Sequence, residues 1–158
     1  MTSFSFPKWE DLPELDLYLD QVLLYVNQIN NQAFEGQEKA LTASMVNNYV
    51  KHGHLPKPIK KKYSRHQVAR LIILTALKPV FSIQDIILAV QDLVTKEDLS
   101  AFYYNDFVAC MQGEEPKSQH HPLILSACQT IKVYHQTQTL FKQLEGGSSN
   151  ETSQSQTK

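Results

Sequence analysis

The 158-residue chain is 42% apolar and 20% charged, ordinary for a globular protein and enough for one domain with a real hydrophobic core. Its net charge of -1 points to no polyanionic partner for the chain as a whole, and apolar runs such as Leu71–Leu77 are too short to span a bilayer, so no membrane partner is expected. Cys110 and Cys128 form no CxxC pair and Met1–Leu24 has no signal-peptide pattern, so a reducing cytoplasm is the expected compartment.

Residues 1–15 read as an N-terminal extension with aromatic and proline punctuation, no period, and an acidic run in Glu10, Asp11 and Glu14. Asp16–Asn31 predicts a helix whose apolar face carries Leu17, Val22 or Leu23, Leu24, Tyr25 and Ile29. Asp16 and Asp20 suit the positive end of its dipole. Phe34–Ala40, with Gly36 and several charges, predicts a connecting loop. Thr42 is placed as the N-cap of a second helix, with Met45, Val46, Tyr49 and Val50 toward the core and Gly53 as its stop. Leu55–Tyr63 cannot be helical, because Pro56 and Pro58 force extended backbone on the residues before them. A two-stranded wing, Leu55–Ile59 turning back to Lys62–Tyr63, fits that chemistry.

Ser64 predicts the cap of a third helix reaching about Lys78, ended by Pro79, with Val68, Leu71, Ile72, Thr75 and Ala76 buried. Ser82 with Asp85 forms a capping box for a fourth helix carrying Ile83, Ile86, Ile87, Val90 and Leu93. Thr95 with Asp98 repeats the device for a fifth, containing Leu99, Phe102, Tyr103, Phe107 and Met111. After a polar loop, Gly113–His121, Pro122 suits the first turn of a last helix to about Leu144, with Ile124, Cys128, Ile131, Tyr134, Phe141 and Leu144 inward. Gly146–Lys158 has nothing to bury and is expected to be disordered. The expected fold is mainly α, with a winged helix-turn-helix over 16–94 and a short β-ribbon wing. Additional C-terminal helices over 95–144 pack on it, and a tail follows over 145–158.

The basic residues are concentrated. Lys51, Lys57, Lys60, Lys61, Lys62, Arg65 and Arg70 are seven of the fifteen lysines and arginines, and no acid lies among them. One cationic face on a neutral protein can bind a polyanion locally. Thr42, Ser44, Asn47, Asn48 and Lys51 give the second helix the short polar side chains that a recognition helix needs. Asparagine pairs bidentately with adenine, and hydroxyls commonly meet phosphate. Lys57, Lys60, Lys61, Lys62 and Arg65 suit the flanking phosphates. Lysine runs are more often solvated surface, and Asn47-Asn48 alone is ordinary helix polarity. The order of elements favours DNA: helix, glycine stop, proline-bent basic ribbon, capped helix.

Tyr49, Gly53, Leu55 and Pro56, then Tyr63-Ser64 opening a helix with Val68, Ala69 and Leu71, and Phe81–Ile86 after it, resemble the MerR-type winged-helix regulators. Leu12–Ile86 more closely resembles a small bacterial family known only as a domain of unknown function, on the runs Leu41–Lys51 and Lys61–Arg65. The resemblance implies a MerR-like winged helix-turn-helix, double-stranded DNA as partner and a role in transcription regulation. It brings no established biochemical activity.

Neither a Gly-rich phosphate loop, a GxSxG elbow nor a paired-carboxylate signature is present, so neither an enzyme nor a cofactor is expected. His52, His54, His120 and His121 are of a type that binds metal, but no metal site is expected, because zinc needs four donors and no cysteine is near them in sequence. Cys110 and Cys128 are expected to be buried thiols. Phe102, Tyr103, Tyr104 and Phe107 could line an unidentified effector's pocket or a dimer interface, and completing the core is the preferred reading. A homodimer is expected, since one short recognition helix seldom gives enough specificity. The alternative function is a protein-interaction module that keeps the fold without reading DNA; RNA binding is a third.

Overall fold

The computed structural model describes residues 4–35, 40–94, 100–113 and 120–156, with backbone alone at 94 and 147–156. Its architecture is mainly helical: α1 Leu19–Ala33, α2 Ala43–Lys51, α3 Arg65–Leu77, α4 Ile83–Val94, α5 Ser100–Gln112 and α6 Pro122–Gln156. Two short strands, β1 Leu17–Tyr18 and β2 Lys62–Tyr63, pair antiparallel with Leu17 opposite Tyr63 and Tyr18 opposite Lys62. The expected capping box at Thr95 and Asp98, Leu99, most of the Phe34–Ala40 and Gly113–His121 connections, and the side chains of the tail lie outside the described residues.

Local chemistry sets most helix ends. The Thr42 hydroxyl accepts the Met45 N–H at 3.2 Å and so caps α2. At the other end Gly53 has φ +75°, its N–H donates to Val50 O and the His54 N–H donates to Tyr49 O. Those two bonds make a Schellman closure, and the left-handed backbone is why glycine stands there. The Ser64 N–H donates to Gln67 Oε1 at 2.6 Å at the start of α3, and Ser82 Oγ accepts the Asp85 N–H at the start of α4. Val68, Leu71, Ile72, Thr75 and Ala76 are all buried, as the periodicity of α3 predicts.

Four expectations are corrected. The first helix begins at Leu19 rather than Asp16, because Leu17 and Tyr18 are extended and paired with β2. The ribbon is not Leu55–Ile59 against Lys62–Tyr63: on that side only Ile59 bridges Lys62. Pro56 and Pro58 have no N–H to donate to a ladder, so β2 takes β1 as its partner instead. Leu24, Phe102, Phe141 and Leu144, expected inward, are exposed, and Val26 and Ala33 are buried on α1 instead. Finally, the helical backbone of α6 runs past Leu144 to Gln156.

The N-terminal segment is part of the core. Phe4, Phe6 and Leu12 are buried, and Phe6 meets both Phe34 and Phe107 edge-on. The Tyr104 hydroxyl donates to Pro7 O at 2.8 Å, and the Trp9 N–H donates to Asn105 Oδ1 at 2.8 Å. These bonds tie the segment across α5. Aromatic contact supplies the packing and hydrogen bonds fix its register.

Candidate nucleic-acid interface

The site predicted from sequence is the outer face of α2 together with the lysine-rich turn before β2. Thr42, Ser44, Asn47, Asn48 and Lys51 are all exposed, while Val46 and Tyr49 are buried beneath them. Burial pushes the Tyr49 phenol above its ordinary range, as befits a core aromatic rather than a base-stacking platform. The polar face of α2 is thus rigidly backed. Asn27 holds the approach to the helix: its amide donates to Leu41 O at 2.9 Å and accepts the Leu41 N–H at 2.7 Å, pairing with the backbone as a strand would.

The turn has unusual backbone. Ile59 and Lys62 exchange both N–H···O bonds at 3.0 Å, so Lys60 and Lys61 are the two central residues of a tight hairpin. Both have positive φ, 52° and 67°, as a type I′ turn requires. Both side chains are exposed, as is that of Lys57. Lys62 and Arg65 are held closer to the body. The Lys62 ammonium lies 5.2 Å from the centre of the Tyr18 ring, and Arg65 donates to Leu12 O at 3.4 Å while its guanidinium lies over Trp9.

Residues that periodicity did not single out fasten this segment to α3. Buried Gln67 donates to Pro56 O at 2.8 Å and Lys57 O at 3.1 Å, while its oxygen accepts from Ser64. Arg70 donates to His54 O at 3.3 Å. Sequence signals for these roles were faint: a glutamine three residues after a serine cap is one, and a proline-rich segment whose carbonyls need donors is the other. His52 and His54 face each other with ring centres 5.9 Å apart, and the His52 ring also bonds Asn48 O.

Of the aromatics weighed as a pocket, Tyr103, Tyr104 and Phe107 line a cavity of about 170 Å³ bounded by Trp9, α3, α4, α5 and α6, and Phe102 lies outside it. The structure also assembles what sequence spacing had separated: His120 reaches Asp106 and Cys110 on α5. Among the described residues, no helix is long and apolar enough to cross a membrane. The model of a family described as a domain of unknown function (DUF1836) matches residues 7–107. No curated protein and no solved structure matches the chain.

Proposed function

We propose that this chain, which belongs to the DUF1836 family, is a DNA-binding transcription regulator that reads the major groove with α2 and grips the phosphate backbone with the lysine turn. In this reading α1 and α2 form a MerR-like helix pair, and the Ile59–Lys62 hairpin is the tip of a reduced wing. The observation that carries it is the composition of that tip. Positive φ at both central positions favours asparagine and glycine, and other residues cost roughly 1 kcal/mol there. Two lysines are poor choices for stability and good ones for placing charge at an apex. Strain kept at an exposed position points to function.

A pool of random duplex DNA, retained by the purified protein over a salt series and then sequenced, tests the reading. About five cations displacing counterions give a slope of roughly -4 to -5 in log affinity against log salt. The double variant Lys60→Asn with Lys61→Gly suits the turn and removes two charges. It is expected to weaken binding to all sequences and to lower the slope by about 2. Asn47→Ala and Asn48→Ala are expected instead to relax base preference at fixed positions. Failure to retain DNA at low salt would refute the reading and favour a protein-interaction module.

The dimeric part of the proposal draws on α6. Val133, Leu140, Phe141 and Leu144 are exposed and recur at spacings that put them along one side of the helix. A second copy's α6 would cover that stripe and present two α2 helices to two half-sites.

A further inference from the structure

We infer that Asp106, Cys110 and His120 form a binding site for a zinc-like divalent cation, joining α5 to the start of α6. One carboxylate oxygen, the Cys110 sulfur and one imidazole nitrogen lie within 4.8 Å of one another. Asp106 and Cys110 are four residues apart on α5, so they share a face one turn apart. His120 stands just before Pro122, which opens α6. The side chains of His120 and Asp106 are only 9% and 8% exposed.

The donor set selects the ion. A thiolate, an imidazole and a carboxylate suit zinc and disfavour magnesium or calcium, which take oxygen ligands. One thiolate and one carboxylate balance a divalent cation's charge, so the loaded site is neutral and needs no further counter-ion. The metal takes the place of the His120 Nδ1–Asp106 Oδ1 hydrogen bond: the neutral imidazole carries its proton on Nε2, and the Cys110 thiol proton leaves to solvent.

The surroundings orient the donors. Asp106 Oδ2 accepts the His121 backbone N–H at 2.9 Å, which holds the carboxylate in place. The Cys128 thiol donates to Phe107 O at 3.8 Å and lies beside the Cys110 sulfur, so it packs the ligand in place. The Lys132 ammonium is tied to Cys110 O at 2.6 Å, on the helix backbone rather than on a donor atom. Three protein ligands leave one position of a tetrahedral ion for water.

The test uses the full chain, stripped with a chelator under reducing conditions and then titrated with cobalt(II) and with zinc(II). One equivalent is expected to bind, with the sulfur-to-cobalt charge-transfer absorption that only a bound thiolate produces. X-ray absorption of the zinc-loaded wild type is expected to resolve one sulfur among nitrogen and oxygen donors; this readout needs no variant to fold. Cys110→Ser should abolish the charge-transfer band, and His120→Gln or Asp106→Asn should weaken zinc by more than the 10- to 100-fold typical of supporting residues. Cys128→Ala should weaken it within that range. His52→Gln with His54→Gln should change nothing. No stoichiometric binding by the wild type, a spectrum without sulfur, or a site lost with His52 and His54 would each overturn the inference.

Discussion

Gln67 shows how much one side chain can decide. Its amide accepts from the Ser64 N–H and donates to two carbonyls, so a single residue both caps α3 and anchors the segment that carries Lys57. Gln67→Ala is expected to lower stability by about 1–2 kcal/mol, because the part-buried carbonyls of Pro56 and Lys57 lose their donor. Urea unfolding measures it; a loss below about 0.5 kcal/mol would show that water replaces the amide without penalty. Gly53 is a simpler case. Open space surrounds its Cα, so Gly53→Ala meets no clash, and the whole effect is backbone strain at φ +75°. A loss of about 1 kcal/mol in the unfolding free energy is expected. The turn lysines work in the opposite sense. The pair Lys60→Asn and Lys61→Gly is expected to raise stability by up to about 1–2 kcal/mol. Greater stability with weaker DNA binding would separate the two roles of the turn.

At the scale of elements, the pairing of β2 with β1 ties the lysine turn to the start of α1. The strand that precedes α1 is bonded to the strand that follows the lysine turn, so the turn, α1 and α3 share one anchor. Tyr63 is buried at that junction, opposite Leu17. The outer half of α6 makes a different prediction. Leu140, Phe141 and Leu144 are exposed, so replacing all three with serine removes no buried packing. The variant is expected to keep the far-ultraviolet circular dichroism of the folded chain while shifting sedimentation from dimer to monomer. Sedimentation unchanged between wild type and variant would remove α6 from the dimer proposal.

On the scale of the whole molecule, His135 links pH to stability. It stacks on Phe34 with ring centres 3.9 Å apart and lies near Phe4, and among the described residues its Nε2 is buried without a partner. Burial lowers its pKa from the ordinary 6.5 to about 4. The unfolded chain takes up a proton as pH falls through about 6.5, whereas the folded chain resists until about 4. The neutral ring therefore carries no penalty above pH 6.5, and stability falls between these values as the pH is lowered. With allowance for partial exposure, the loss is about 1–2 kcal/mol. Urea midpoints at pH 7 and pH 5 should show it, and His135→Phe, which keeps the stack, should flatten the difference. Equal midpoints in the wild type would contradict the burial of the ring.

What could be read from the sequence alone was local. Thr42 and Gly53 bound α2, Ser64 opens α3 and Ser82 opens α4, because caps act within four residues of the helix end they satisfy. The buried stripe of α3 followed from its spacing. The exposed polar residues of α2 were legible for the same reason, since Val46 and Tyr49 mark the opposite face. Leu24 and Phe141 misled, because apolarity marks a face that something can cover and not whether anything covers it. Leu17 and Tyr18 read equally well as the start of a helix; only β2, far along the chain, supplied the strand partner. The same holds for Gln67 beneath the lysine turn and for Asp106, Cys110 and His120 at the foot of α6. The sequence by itself determined the helices, their caps and their polar faces, because those depend on neighbours a turn away. Only the tertiary structure decided the strand pairing, the fastening of the turn and the metal-ligand cluster, because each needs groups that packing alone brings within bonding distance.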